Sequence, residues 1–222
     1  MKLTKACAVV SMLLATAAPA SATNFDFTSG QSSDVWVKDG ITLSVSGWSA
    51  SSIFTSALPF RGSAVAYGSA GYGLTNSLFD NKHTVDNSGR YDFLRLEFSK
   101  AVDLTRVSVT QFGDTDAWIS FGDLATNMRS SAGWNSFLDN GANYLGGSVD
   151  RSFDVAGSNA SSVWLIGGGR GTGTNDSFKV SSIDIASAVP EPATWALMIV
   201  GFGMVGSTLR RRQRVNTAVR FA

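Results

Sequence analysis

Short runs of alternating apolar and polar residues recur through the middle of the chain, and no stretch there shows a long helical period. Successive side chains of a β-strand point to opposite faces of its sheet, so a period of two indicates a strand with one buried face. The runs are residues 41–45, 93–98, 107–109, 118–121, 163–166, 178–180 and 183–185. Gly, Ser, Asn and Asp separate them, as expected of turns. We therefore predict an all-β domain, an antiparallel β-sandwich of jelly-roll type.

The run FLRLEF shows the alternation well. It predicts that Leu94, Leu96 and Phe98 face the core, while Arg95 and Glu97 lie on the opposite face. Cross-strand pairing or solvation would account for Glu97 there. Between the strand runs, residues 121–137 are predicted to form one helical turn or only a loop.

The composition is typical of an extracellular β-rich domain. Charged residues make up 16% of the chain, and 23 of its 222 residues are glycine, whereas a helical bundle is rich in Ala, Glu, Lys and Leu. Residues 23–190 contain 11 lysines and arginines against 16 aspartates and glutamates, a net charge of −5. This acidic balance argues against nucleic acid as a partner, because the neutralisation of phosphates requires a basic face.

The N-terminal segment, residues 1–22, has the three parts of a secretory signal peptide. A start charged by two lysines precedes an apolar stretch at residues 6–18, and Ala20-Ser21-Ala22 precedes the predicted cleavage site. The single cysteine, Cys7, lies inside this segment. The mature protein is therefore expected to have neither a disulfide nor a thiol nucleophile.

The C-terminal segment, residues 189–214, has the pattern of a membrane anchor. Residues 194–209 carry no charge, and Arg210, Arg211 and Arg212 follow them. Such a segment is predicted to cross the membrane once as a helix, with the arginines and a tail at residues 215–222 in the cytoplasm. Residues 23–188 would then form an ectodomain outside the cytoplasm.

The residues around the start of this segment form a recognisable motif. Pro190-Glu191-Pro192 is followed by Trp195-Ala196 and then by spaced glycines and the arginine cluster. These residues resemble the PEPxxWA variant of the PEP-CTERM sorting signal. The resemblance implies that exosortase, a membrane-embedded cysteine transpeptidase, recognises the segment and processes the protein near Pro-Glu-Pro during export. It also implies a protein anchored in the cell-envelope membrane or released to the extracellular matrix, in a bacterium that makes exopolysaccharide and biofilm.

A second resemblance lies in the middle domain. The sequences GYGL at residues 71–74, HTVDNSG at residues 83–89 and YDFLRLEF at residues 91–98 resemble the ectodomain of a group of PEP-CTERM proteins. This resemblance supports the fold and the export of the domain, and it implies no reaction.

Oxygen-bearing side chains lie close together in sequence at Asp80, Asp86, Asn87 and Asp92. Because Ca²⁺ takes about six to eight hard oxygen ligands, these residues are a candidate Ca²⁺ site. Asp and Asn also form turns by bonding their own backbone, and this interpretation stays open. Asp114 and Asp116 form a second candidate.

The aromatic residues give the best indication of a ligand. Trp134 and Tyr144 lie in a stretch rich in Gly, Asn and Ser, a composition typical of exposed loops. Exposed aromatic faces beside Asn and Asp suit sugar rings, so Trp134 and Tyr144 are candidate carbohydrate-binding residues. The alternative, favoured for each residue taken singly, is that these side chains fill the core.

Signals of enzymatic activity are sparse. The single histidine, His83, has no G-x-S-x-G motif to act with, and the run GGGRGTG lacks the lysine of a phosphate loop. Glu97 is the one glutamate of residues 23–190, while glycoside hydrolysis needs two carboxylates across a cleft. We expect a non-enzymatic surface or matrix protein that binds or organises exopolysaccharide, with a secreted glycan hydrolase or a purely structural matrix protein as alternatives.

Overall fold

The computed structural model describes residues 22–29, 33–51, 58–75, 82–157, 159–171, 173–187 and 192–212. The predicted signal peptide lies outside these residues except for Ala22, and Pro190 and Glu191 lie outside them as well. The chain divides into two compact units, of which one is Ser21–Ala188 and the other includes the C-terminal helix.

Thirteen strands and two α-helices form the regular structure of the described residues. The strands are β1 (Ala22–Asp26), β2 (Val35–Lys38), β3 (Ile41–Ala50), β4 (Phe60–Arg61), β5 (Ser63–Tyr67), β6 (Gly71–Thr75), β7 (Val85–Asp86), β8 (Tyr91–Gln111), β9 (Ala117–Gly122), β10 (Ala142–Tyr144), β11 (Arg151–Asp154), β12 (Ser161–Gly168) and β13 (Ser177–Ser187). The helices are α1 (Ser131–Asp139) and α2 (Pro192–Arg212), and a short 3-10 turn spans Gly68–Ala70.

The long strand β8 organises the sheet. Its first part, residues 91–98, lies between β3 and β12, and its second part, residues 102–111, lies between β13 and β11. All of these pairs are antiparallel. Since β8 belongs to both halves, the strands form one continuous hydrogen-bonded sheet rather than two separate ones.

Inward-facing side chains from both halves of the sheet meet in the main core. Leu94, Leu96 and Phe98 of β8 belong to this cluster together with Ile183 and Ile185 of β13. The three β8 residues are at most 1% exposed. The opposite face of β8 carries its half-buried charged residues, so the predicted division of this strand into two faces is confirmed.

A β-bulge lets β8 contribute to both halves of the core. Its pairing with β13 passes from Leu104 to Arg106 in one step, so that Thr105 is the extra residue. Thr105 and Arg106 are both exposed, and the buried positions change from even to odd numbers beyond them. A bulge bends a strand and shifts its alternation by one residue, which keeps Val107 and Val109 pointed at the core.

A smaller core covers part of the outer face of the sheet. Trp134 and Phe137 of α1 pack there against Phe93 and Trp118. The rings of Trp134 and Phe93 are stacked, with their centroids 5.4 Å apart. Ser130 begins the helix, because its side-chain oxygen accepts a hydrogen bond from the backbone N–H of Gly133 at 3.1 Å. A helix therefore forms where the sequence left a helical turn or a loop open.

The all-β class is confirmed, with α1 as the one helix of the compact unit among its described residues. The jelly-roll topology stays a prediction. α2 occupies the segment for which a membrane span was predicted. No helix in the described parts of the chain is both long and apolar enough to cross a membrane, so that prediction is not confirmed.

Removal of a large side chain from the main core should lower stability sharply. Leu96 is completely buried, so Leu96→Ala is expected to reduce the free energy of unfolding by about 2–5 kcal/mol, as measured by urea denaturation. Leu145 is 73% exposed, and Leu145→Ala serves as the control with an expected change within about 0.5 kcal/mol. Equal losses in the two variants would contradict this assignment of the core.

Candidate functional site

A cleft opens on the outer face of the sheet, where β3 lies between β8 on one edge and β2 and β4 on the other. Its volume is about 300 Å³, at the lower end of the roughly 300–1,000 Å³ that ligand sites occupy. The polar and aromatic residues that line it are Asp34, Ser44, Ser46, Trp48, Arg61, Arg95 and Glu97.

Strand register brings the lining residues together in cross-strand pairs. These pairs are Ser44 with Glu97, Ser46 with Arg95, and Trp48 with Arg61. The even-numbered residues of β3 share the outer face with the odd-numbered residues of the first part of β8, since side chains alternate along both strands. The apolar residues between them, such as Val45 and Leu96, point into the main core. The alternation that builds the core therefore also builds the cleft.

One ion pair lies within the cleft. Nη1 of Arg95 donates to Oε1 of Glu97. Burial lowers the pKa of the Arg95 guanidinium, the charge of Glu97 opposes this change, and the positive charge of Arg61 adds to it. Asp34 is exposed, and partial desolvation raises the pKa of its carboxyl, a rise that the charge of Arg61 opposes. The four groups are therefore close enough to influence one another's charge.

Trp48 is the aromatic side chain of the cleft. It is 9% exposed and its indole N–H donates to Oγ of Ser46 at 2.9 Å. The guanidinium of Arg129 lies over the indole, 5.5 Å from the ring centroid. An aromatic surface beside hydroxyl and charged groups can contact the C–H face of a sugar while bonding its hydroxyls. The cleft is thus chemically suited to a carbohydrate.

A second group of side chains lies where β8 ends and β13 begins. The carboxylates of Asp114, Asp116 and Asp176, which we term the acidic cluster, each have an oxygen within 4.8 Å of those of the others. Asp114 and Asp116 follow β8, Asp176 precedes β13, and antiparallel pairing brings the two ends together. Like charges so close repel one another, and a bound cation would reduce this repulsion. Among the acidic side chains of the described ranges, these three have the spacing to hold a metal ion.

Backbone N–H groups hold the acidic cluster in place. Asp114 Oδ1 accepts from the backbone N–H groups of Thr115 at 2.7 Å and Gly147 at 2.9 Å. Asp116 Oδ1 accepts from the N–H of Gly146 at 2.7 Å. A Cβ atom on Gly146 would lie 2.2 Å from Thr115 Oγ1, so this close approach requires glycine.

Asn87 connects the predicted Ca²⁺ residues to this cluster. Its Nδ2 donates to Oδ2 of Asp176 and, at 3.2 Å, to the carbonyl of Gly169. Oδ1 of Asn87 accepts from the backbone N–H of Asp176 at 3.1 Å. Asn87 thus joins the turn after β7 to the glycine-rich loop before β13. It is 2% exposed and was predicted as a ligand rather than as this bridge.

The other predicted Ca²⁺ residues have separate partners. Asp86 Oδ1 accepts from the backbone N–H of Ser88 at 3.1 Å, which is the turn chemistry that the sequence left open. Asp92 Oδ1 accepts from the hydroxyl of Ser49 at 2.6 Å, between β8 and β3. Asp80 lies outside the described residues. The Ca²⁺ site at these four residues stays a prediction.

The exposure that the surrounding composition indicates for Trp134 is not found. Trp134 is completely buried and packs against Phe93 and Trp118, because the apolar outer face of the sheet requires a cover. It therefore offers no face to a sugar. Tyr144 is half-buried, its ring packs against Phe153, and its role in carbohydrate binding stays a prediction.

The sequence predicted neither that the cleft residues lie together nor that Asp176 joins Asp114 and Asp116. The alternation in β8 had placed Arg95 and Glu97 on an outer face, which is a usable signal for that half of the cleft. Nothing local in the sequence connects them to Asp34, Trp48 or Arg61, because these residues reach the cleft through strand pairing.

Comparison with known proteins identifies the C-terminal segment. A family model for the PEP-CTERM protein-sorting motif matches residues 188–213. The chain therefore carries a PEP-CTERM sorting motif, which indicates export and C-terminal sorting to the cell envelope and implies processing by exosortase. Comparison with curated proteins and with solved structures found no match.

The structure describes the backbone of the second half of the sorting motif. Pro192 begins α2, which includes Trp195 and Ala196 and ends at Arg212. Arg210 is exposed, and Arg211 lies beside it in the helix. The start of α2 at Pro192 agrees with the tolerance of proline in a first helical turn.

The partial desolvation of the exposed Asp34 carboxyl should appear as a dependence of stability on pH. The pKa of Asp34 is higher in the folded protein than its ordinary value of about 3.8. Ionisation of this carboxyl therefore lowers the stability of the folded protein as the pH rises from about 3.8 through the raised pKa. Asp34→Asn is therefore expected to be more stable than wild type at pH 7, with the difference vanishing near pH 3, in urea denaturation at both pH values.

Asp26 provides a control of opposite sign. Hydrogen bonds from the hydroxyl and the backbone N–H of Thr28 lower the pKa of Asp26. The ionised Asp26 carboxylate stabilises the folded protein above the ordinary aspartate pKa, and this stabilisation is lost as the pH falls through the lowered pKa of Asp26. Asp26→Asn should therefore be less stable than wild type at pH 7. A loss of stability in both variants at pH 7 would rule out the assignment for Asp34.

Proposed function

We propose that the ectodomain binds exopolysaccharide through the cleft between β2, β3, β4 and β8, and so acts as an adhesive or organising protein of the extracellular matrix. The observation that carries this proposal is the cleft itself, which combines the Trp48 indole with hydroxyl, guanidinium and carboxylate groups in one space of about 300 Å³. Sugars present both C–H faces and hydroxyls, so they need this mixture of groups.

The sorting signal supports the same conclusion from the cellular side. A protein exported to the cell envelope meets the polysaccharides of its own cell surface. The net charge of −5 over residues 23–190 repels anionic membranes and nucleic acids, so non-specific binding to them is disfavoured. Release to the matrix after processing near Pro190 is part of this proposal.

A Ca²⁺ ion at the acidic cluster forms a second part of the proposal. Carboxylate and backbone carbonyl oxygens are the ligands that Ca²⁺ prefers, and three carboxylates converge there. The bound ion would fix the loops at residues 145–149 and 169–176, which supply hydrogen bonds to the cluster. Its role would be structural, in the manner of an ion that rigidifies the end of a β-sandwich.

Glycan hydrolysis is a second candidate function, and the contents of the cleft favour it. Asp34 and Glu97 are two carboxyl groups in one cleft, which is the minimum that a glycosidase needs. A carboxyl with a raised pKa, as partial desolvation gives Asp34, is suited to donate a proton to a leaving group. In this alternative Glu97, held by Arg95, would be the second carboxylate.

Filling the cleft should abolish glycan binding. Ser44 is half-buried and lines the cleft opposite Glu97, so Ser44→Phe places an aromatic ring in the binding space while suiting a strand position. Retention of the full-length protein on exopolysaccharide from the producing cells should fall at least about tenfold. Ser152→Phe, at an exposed position of β11 outside the cleft, is the matched control and should bind as wild type does.

New reducing ends are recorded in the same assay. Saturable binding without new ends supports the adhesive function. New ends that disappear in Glu97→Gln, but persist in Ser152→Phe, would favour the hydrolase. Unchanged retention in Ser44→Phe would contradict a role of the cleft in binding and leave a purely structural matrix protein as the better description.

Ca²⁺ should raise the thermal stability of the protein through the acidic cluster. At a free concentration about 100-fold above its Kd, a single bound ion is expected to raise Tm by about 5–10 °C. Asp114→Asn should lose most of this shift. Asp150→Asn should retain it, because Asp150 likewise accepts from a backbone N–H, that of Gln111 at 2.7 Å, but is not part of the cluster. The same shift in all three proteins would contradict the site.

A further inference from the structure

The lining of the cleft is balanced in charge, on a domain that is negative overall. Arg61 and Arg95 line it together with Asp34 and Glu97, and Arg129 lies over Trp48. Residues 23–190 have a net charge of −5. An anionic group is therefore repelled less at the cleft than on the rest of the domain.

Arg61 and Arg95 differ in their partners. Arg95 is held by Glu97 in one ion pair, and Arg106 and Asp154 form another within the described ranges. Arg61 takes part in neither pair. It is exposed on the two-residue strand β4, directly opposite Trp48. Arg61 thus lines the cleft together with Trp48, outside both of these ion pairs, and its charge acts on Asp34.

We propose that the cleft selects glycans that carry carboxylates, as uronic acids do, and that Arg61 is the residue that binds the carboxylate. This inference rests on the proposed function and names the class of glycan. A guanidinium presents its donors in a planar fork that matches both oxygens of a carboxylate, whereas a sugar hydroxyl accepts only single hydrogen bonds from it. The sugar ring bearing that carboxylate would lie against Trp48.

Charges within the cleft discriminate in the same direction. The positive charge of Arg61 contributes to the lowered pKa of Arg95, which reports repulsion between the two guanidinium groups. A carboxylate bound at Arg61 reduces this repulsion, and a neutral sugar leaves it unchanged. Asp34 acts against an incoming carboxylate, because it lines the cleft and forms no ion pair with a described residue. Loss of Arg61 and loss of the Asp34 charge therefore have opposite effects.

The test uses polygalacturonate and the same polymer after chemical reduction of its carboxyl groups. Affinity of the full-length protein for both polymers is measured by titration calorimetry at low salt. Wild type is expected to bind the acidic polymer about tenfold or more tightly than the reduced one, since a charged hydrogen-bonded pair contributes that much. Arg61→Gln should lose this preference, with a larger loss of affinity for the acidic polymer than for the reduced one, and Asp34→Asn should increase the preference.

Arg151→Gln is the matched control. Arg151 is exposed on β11 outside the cleft, so its loss removes the same charge and should leave the preference intact. Equal wild-type affinities for the two polymers, or equal preferences in wild type and Arg61→Gln, would overturn the inference. If Ser44→Phe still abolishes retention on native exopolysaccharide in that case, the proposed function stands and only the choice of an acidic glycan fails. If retention is unchanged as well, both fail.

Discussion

The strict alternation of side chains along β8 is the constraint on which the rest of the structure depends. One face of this strand supplies Leu94, Leu96 and Phe98 to the main core, and the other supplies Arg95 and Glu97 to the cleft. A shift of one residue would bury the charges and expose the leucines. The bulge at Thr105 allows the same strand to continue into the second half of the sheet with its apolar residues still turned inward. The core and the cleft are thus two consequences of one register.

The outer face of the sheet is divided between a covered and an open region. Phe93, Trp118 and Leu165 form an apolar area, and α1 covers it with Trp134 and Phe137. Beside it, Ser44, Ser46, Arg95 and Glu97 form a polar area that needs no cover, because its charges are paired or solvated. Trp48 lies in both regions, since it belongs to the small core and also lines the cleft. Burial of its indole on one side therefore positions the part of the ring that lines the cleft.

The acidic cluster and the sorting signal illustrate two ways in which a chain carries function. The sorting signal is contiguous, and residues 188–213 suffice to identify it. The acidic cluster is assembled from two distant segments, and backbone N–H groups of further loops orient its carboxylates. The proposed function combines a polysaccharide bound at the cleft with a Ca²⁺ ion bound at the acidic cluster. The cluster at one end of the sheet and the cleft on its face are then separate parts of one proposed binding protein.

The order of residues alone determined the features that depend on near neighbours in the chain. The period-two runs established the all-β class and the two faces of β8, and Pro190 to Ala196 established the sorting signal. Only the tertiary structure decided which strands pair, and pairing placed Arg61 opposite Trp48 and brought Asp114 to Asp176. It also decided that Trp134, in a stretch rich in polar residues, is buried under α1 rather than exposed. The physical reason is that hydrophobic periodicity reports which face of a strand is buried, whereas partners across the sheet are chosen by long-range packing that no local pattern records.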